Sequence, residues 1–260
     1  MSELIQVIKD NHIAKISLNR PESYNSFNRE MALALVSALD DCESDDNIRV
    51  VYLTGIGKAF CAGQDLKEVT NPETNIGFER IVSEHYNPII LKIYNLKKPV
   101  IAAVNGVAAG AGANIALVCD IIVAKESASF IQAFSKIGLV PDSGGSYTLP
   151  RLIGFQKALA ITLLGDKVSA QEADALGMIY KYFSDDTFEE SAYKIATKLA
   201  ALPPIGIQHT KTLYNKGLCN NLETQLENEK EYQVKAGSTE DYQECVNAFL
   251  EKRKPVIKGK

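Results

Sequence analysis

Three stretches of this sequence could do chemistry. In "SKIGLVPDSGG" (135–145) a carboxylate, Asp142, sits in a turn after Pro141 and before Ser143, Gly144 and Gly145. Aspartate is a common turn residue, so capping is one role open to it; a buried base is another. In "GKAFCAGQDLKEV" (57–69) and "AVNGVAAGAGANIAL" (103–117) an extended run meets small residues and then a helix start. The first amides of a helix have no internal partner, and small side chains let a ligand approach them. Two such amides aimed at one point would form an oxyanion hole. Either segment alone could equally serve close helix–strand packing.

Other chemistries fail on position. A dinucleotide fingerprint beginning at Gly110 and Gly112 needs glycine at 115, where Ile115 stands. A phosphate loop ending at Gly57–Lys58 needs glycine at 52 and Ser or Thr at 59, occupied by Tyr52 and Ala59. Pro141 stands where a nucleophile elbow around Ser143 needs glycine. His12, His85 and His209 are far apart, and the five cysteines form no CxxC pair, so no metal site and no disulfide framework is expected. A net charge of -4 gives no general attraction to nucleic acid or anionic membrane. The N-terminus lacks a basic segment followed by an apolar run, and nowhere do about 18 apolar residues run together, so a cytoplasmic protein with reduced thiols is expected.

The elements that must position these residues can be read coarsely. "LIQVI" and "HIAKISLN" predict paired strands. Asn28 is placed to cap a helix with an apolar stripe at Met31, Leu35, Ala38 and Leu39. "RVVYLTG", "KPVIAAVNG" and "CDIIVAKE" read as buried strands, and a helical pattern over 75–96 should be kinked or divided at Pro88. "SAQE" (169–172) has the pattern of a capping box. After Gly154 only "MIYKYF" looks like a strand, and from about Leu202 the chain reads as helices. Periodicity alone gives a single α/β or α+β domain with a helical appendage.

Several segments together are similar to the crotonase superfamily, the enoyl-CoA hydratases and isomerases, over essentially the whole chain. They are "LNRPESYNSFN", "AFCAGQDL", "PVIAAVNGVAAGAGANIALVCDIIVA" and "GLVPDSGGSYTLPRLIG". "FCAGQDL", "NGVAAGAGA", "AFSKIGLVPDSGG" and the tail "FLEKRKPVIKGK" narrow the resemblance to the family's isomerases of phenylacetate degradation. The resemblance implies an α/β fold, a spiral of ββα repeats over 1–201 with strands in two nearly perpendicular sheets. Helices over 202–260 would cover the site or trimerise. A homotrimer, or a hexamer built from two trimers, is implied as well.

It also implies an acyl-CoA thioester as partner, with coenzyme A as part of the substrate and no separate cofactor or metal. The oxyanion donors would be the backbone N–H groups of Gln64 and Ala111. Ala62 and Leu66 would border the adenine, Gly110 would admit the thioester, and Asp65, Lys67, Ala109, Asn114 and Phe134 would line the bound ester. Lys58 and Lys67 could reach phosphates, or simply be solvated. Family hydratases use two glutamates; here Asn114 and Phe134 occupy those positions. The third acidic position, used by isomerases, holds Asp142.

One base suffices for isomerisation: a carboxylate removes the α-proton of a thioester whose enolate is held by two amides, then returns the proton further along the chain. On the 1,2-epoxide of phenylacetyl-CoA the same transfer would yield the seven-membered oxepin-CoA. A dry wall at Phe134 would strengthen the base and a helix N-terminus would weaken it. The competing expectations are a 2-enoyl-CoA hydratase and a non-catalytic acyl-CoA- or RNA-binding scaffold.

Overall fold

The computed structural model describes residues 4–260; residues 1–3, part of the stretch inspected for a leader, lie outside it. β1 (Ile5–Asp10) and β2 (Ile13–Leu18) pair antiparallel through a two-residue turn. Both turn residues, Asn11 and His12, have positive φ (47° and 66°), the twist that tight hairpins need. α1 (Arg29–Ser44) starts where Asn28 accepts the Met31 N–H at 2.9 Å and buries Met31, Leu35, Ala38 and Leu39.

Three ββα units follow. In the first, β3 (Val50–Gly55) and β4 (Ala59–Cys61) lead to α2 (Leu66–Thr70), α3 (Phe78–Arg80) and α4 (Asn87–Asn95). In the second, β5 (Val100–Val104) and β6 (Val107–Ala109) lead to α5 (Ala111–Leu117). In the third, β7 (Ile121–Lys125) and β8 (Ser129–Ile131) lead to α6 (Gly145–Ile153) and α7 (Phe155–Leu164). β9 (Lys167–Ser169), α8 (Ala170–Ala175), β10 (Lys181–Phe183) and α9 (Phe188–Ala200) complete the mixed part. α10 (Pro204–Gly217), α11 (Leu222–Gly237) and α12 (Glu240–Leu250) are the C-terminal helices.

The first strand of each unit joins one six-stranded sheet, ordered β1-β2-β3-β5-β7-β10; the second joins a four-stranded sheet, β4-β6-β8-β9. Both are parallel apart from β1 and β9. The larger sheet's central strands β3, β5 and β7 are buried on both faces, which explains their β-branched, nearly continuous apolar sequences. Val51 and Leu53 join the main core, while Val50 and Tyr52 face the apolar side of α9 through Ala192 and Ala196. α10 docks on the core through Lys211, which bonds Asp120 Oδ2 (2.8 Å) and the Ile93 carbonyl (2.9 Å).

Two expectations shift. The division expected at Pro88 falls one turn earlier: Ile81–Tyr86 is π-helical, and the Asn87 N–H reaches back five residues to the Val82 carbonyl. Proline clashes with the carbonyl four residues before it in an ordinary helix, and the wider turn relieves that. β8 and β9, three residues each, were not among the expected strands. At "SAQE" the Glu172 N–H donates to Ser169 Oγ at 3.1 Å, the serine half of the capping box.

Candidate active site

β4 and β6 run parallel and end side by side, so the segments that follow them emerge together. Phe27 holds the first from behind: its N–H donates to Gly63 O (2.7 Å) and its carbonyl accepts from Asp65 N (2.8 Å). In such a bridge the residue between, Gln64, turns its own N–H to the opposite edge. Gly63 (φ 90°) lies against the second segment; a Cβ there would sit 2.9 Å from Ala109 O and 3.4 Å from Ala111 N. Gly110 (φ 53°) reverses the chain so that Ala111 opens α5 with its amide outside the helical ladder. Among the described residues, neither the Gln64 nor the Ala111 N–H donates to a protein acceptor. The structure thus brings the two sequence-predicted donors together, both free.

The acidic turn closes the other side. Phe134, 5% exposed, points its ring tip at Gly110, 3.8 Å from where a Cβ would stand. Asp142 precedes the first turn of α6, its carbonyl accepting from Gly145 N at 2.9 Å. Its carboxylate is half-buried, and that burial holds its pKa above the ordinary carboxylate range. The Ser143 hydroxyl, 2.9 Å from Oδ1, and the Asp142 N–H oppose that without reversing it. Desolvation therefore wins at this carboxylate, the question that sequence left open.

Asn114 is held by its surroundings. It was expected to line the bound ester, yet it is fully buried and both ends of its amide are engaged. Nδ2 donates to the Asp142 carbonyl (2.9 Å) and Oδ1 accepts from Gln132 Nε2 (2.8 Å). Gly145 leaves room for it: a Cβ there would stand 2.3 Å from Nδ2. Asn114 thus fixes the turn that carries the carboxylate. Asp65 is likewise engaged, accepting from Lys67 N (3.0 Å) to cap α2 and from Arg20 (2.8 Å) to hold the loop.

Sequence reasoning missed a cluster around the Gln64 side chain. Tyr86, 1% exposed, donates its hydroxyl to Gln64 Oε1 at 2.8 Å; Gln64 Nε2 donates to Glu68 Oε2 at 2.9 Å. Glu68 Oε1 accepts from Arg29 N, and the Arg29 guanidinium contacts His85 Nε2 (3.0 Å) and Glu84 (2.6 Å). Burial and the Arg29 charge lower the His85 pKa, so the ring is neutral and accepts at Nε2. Burial, with the charges of Cys61, Asp142 and Glu68, pushes the Tyr86 phenol well above 10.

Ala62 and Lys67 are exposed and Leu66 is 59% exposed, forming an open lip next to the Gln64 amide. Lys58, before the start of β4, is exposed as well. Cys61 is buried beneath Gly112 with its thiol pushed up to about 12, which disfavours the thiolate a nucleophile needs. A groove of about 540 Å³ between α10 and the core, lined by Tyr94, Tyr147, Arg151 and Lys211, contains neither of the two free amides and no part of the acidic turn. Among the described residues no three His, Cys, Asp or Glu side chains converge as a metal site. Among the described residues no helix is long and apolar enough to cross a membrane.

A pair of free backbone amides, with a half-buried carboxylate turn tied to α5 through Asn114, on a spiral of ββα units, defines a class. The sequence profile of the enoyl-CoA hydratase/isomerase family matches residues 9–260. The chain is 45% identical over 264 residues to a 1,2-epoxyphenylacetyl-CoA isomerase of Escherichia coli (strain K12), covering 100% of both. It is 41% identical over 248 residues to a protein named "probable enoyl-CoA hydratase" of Rhodobacter capsulatus, covering 95% of both. An enoyl-CoA hydratase crystal structure from Bacillus anthracis superposes with a TM-score of 0.92 at 36% identity, over 99% of this chain and 100% of that one. The chain belongs to the enoyl-CoA hydratase/isomerase, or crotonase, family. It is an enzyme of that family, whose relatives carry the names of both isomerases and hydratases.

Proposed function

We propose that this enzyme is an acyl-CoA isomerase with Asp142 as its single base, acting on the ring-1,2-epoxide of phenylacetyl-CoA to give oxepin-CoA. One observation carries the reading. The two positions where family hydratases need glutamate hold a turn-fixing amide, Asn114, and an apolar wall, Phe134, while the carboxylate of Asp142 is half-buried with a raised pKa. Neither replacement can activate water; one raised-pKa carboxylate can shuttle one proton.

The steps balance without an added reactant. The thioester oxygen lies between the Gln64 and Ala111 N–H groups. Asp142 takes a proton from the α-carbon, and the electron pair moves into the enolate that the two amides stabilise. With the three-membered ring opened to the seven-membered oxepin, the electrons continue through the dienol ether, and the proton returns from Asp142 to a ring carbon. Atoms and charge are conserved, as isomerisation requires. A linear 3-enoyl-CoA needs the same transfer and should also be converted to the 2-enoyl form. The similarity to an epoxyphenylacetyl-CoA isomerase supports the ring substrate.

Self-association into a trimer, or a hexamer of two trimers, is part of the same proposal. Leu222, Val234, Phe249 and Leu250 on the C-terminal helices are mostly exposed in the single chain, apolar surface of the kind that contacts between subunits cover.

The test offers 3-enoyl-CoA and 2-enoyl-CoA separately in deuterated water. Isomerisation of the first without hydration of the second supports the reading. Rapid hydration of the second that survives Asp142→Asn would overturn it.

A further inference from the structure

Tyr86 is one of the largest fully buried side chains, and its hydroxyl makes its hydrogen bond to the side chain of a residue whose backbone faces the acyl site. It closes a π-helical segment, a local form that recurs at functional positions. His85 and Tyr86, adjacent in sequence, are both buried at 1% exposure. The Tyr86 ring stands edge-on to Phe27, with centroids 6.2 Å apart. Phe27 in turn holds Gln64 from both sides, through Gly63 O and Asp65 N.

Gln64 is therefore fixed twice. Its main chain is bridged by Phe27, and its carboxamide is clamped between the Tyr86 hydroxyl and the Glu68 carboxylate. A donor in an oxyanion hole works only when aimed at the place where charge develops. We infer that Tyr86 is a positioning residue: its hydrogen bond to Gln64 Oε1 sets the angle at which the Gln64 N–H meets the thioester oxygen, and so registers the oxyanion donor to the helix whose Ile90 packs at Gly144, in the turn that carries Asp142. This rests on the reading of Gln64 and Ala111 as oxyanion donors, and goes beyond it by naming the group that aims one of them.

The experiment uses acetoacetyl-CoA, whose α-carbon ionises to a coloured enolate and whose thioester needs the same two amides. In Tyr86→Phe, which removes only the hydroxyl, the enolate fraction on the enzyme at fixed pH should fall by about tenfold, less than the about 10²–10³-fold lost when a whole donor is removed. Binding of a saturated acyl-CoA should change by less than about twofold, as expected when an interaction matters mainly to the developing charge. kcat for a 3-enoyl-CoA should fall with KM nearly constant. Gln64→Ala keeps the backbone N–H and removes the clamp, so adding Tyr86→Phe to it should have no further effect on the enolate fraction.

An unchanged enolate fraction in Tyr86→Phe would overturn the inference, as would fully additive losses in the double variant, which would mark the tyrosine as packing alone. Failure of this link is distinguishable from failure of the oxyanion reading. In the first case Ala111→Pro, which deletes the other amide, diminishes the enolate while Tyr86→Phe does not; in the second, neither does.

Discussion

The Ser143 hydroxyl donates to Asp142 Oδ1 at 2.9 Å, and Ser143 is itself buried in a left-handed conformation with φ 50°. A serine in that backbone region is uncommon, and here it brings the hydroxyl back onto the carboxylate that precedes it. The bond favours the ionised form, against the burial that disfavours it. Its removal in Ser143→Ala should move the acid limb of the kcat/KM profile to higher pH. At the acid end activity should fall by about tenfold, the lower range for a hydrogen bond to a charged group at about 1.5 kcal/mol. Well above the limb the variant should match or exceed the parent, because the base it retains is stronger. A pH–rate profile for 3-enoyl-CoA checks both arms.

The same carboxylate should cost stability. Because burial raises its folded-state pKa above 3.8, the folded protein binds this proton more tightly than the unfolded chain does. Its contribution to stability is therefore complete below the unfolded value and is lost as pH rises through the folded one. Asparagine does not titrate and can still accept from Ser143. Asp142→Asn should be more thermostable than the parent at neutral pH, with the advantage shrinking towards zero as pH falls to about 4. Paired Tm measurements across that range test it; equal Tm at every pH would show that burial does not strain the charge. Isomerase activity in the same variant should drop by at least about 10²-fold, the lower range for loss of a positioned base.

Much of this was legible in the sequence because it is carried by short-range rules. Asn28 marks the start of α1 by its side-chain chemistry, and the central strands of the large sheet announce themselves by β-branched runs buried on both faces. Asp142 and the small-residue segments stand out as residue types. Tyr86 does not. Its role rests on a hydrogen bond to Gln64, 22 residues away in sequence, made from the end of a π-helical turn just before Pro88. The one available signal was the proline itself, since its ring displaces a carbonyl in the preceding turn. Asn114 was visible as a missing acid but not as a clamp, because its partners Gln132 and Asp142 lie 18 and 28 residues away. β8 and β9 are too short to show any period.

The Asn114 clamp predicts an effect separable from acid chemistry. Asn114→Asp is nearly isosteric and still accepts from Gln132, yet it presents an oxygen to the Asp142 carbonyl where a donor stood. An unsatisfied or repelled buried polar group costs about 1–3 kcal/mol, to be read from urea unfolding. kcat should fall with it, since the carboxylate-bearing turn loses its anchor. Hydration of 2-enoyl-CoA should not appear, because the side chain at 114 is fully buried between Gln132 and the Asp142 carbonyl. Gain of hydratase activity in this variant would show instead that Asn114 reaches the substrate.

The backbone donor can be deleted without disturbing a side chain. Ala111 is the first residue of α5, the position where proline is well tolerated because its missing N–H would have had no helical partner. The residue before it is Gly110, whose φ of 53° and ψ of -127° mirror the extended conformation that a pre-proline residue prefers. Ala111→Pro should therefore fold, with a Tm close to the parent, while losing one of the two groups that stabilise the enolate. The expected loss is about 10²–10³ in kcat, with saturated acyl-CoA binding largely retained. Parental activity in a folded Ala111→Pro protein would mean that this amide faces no developing charge. The acyl group would then have to be oriented by Gln64 alone, and the pairing of the two segments would be packing after all.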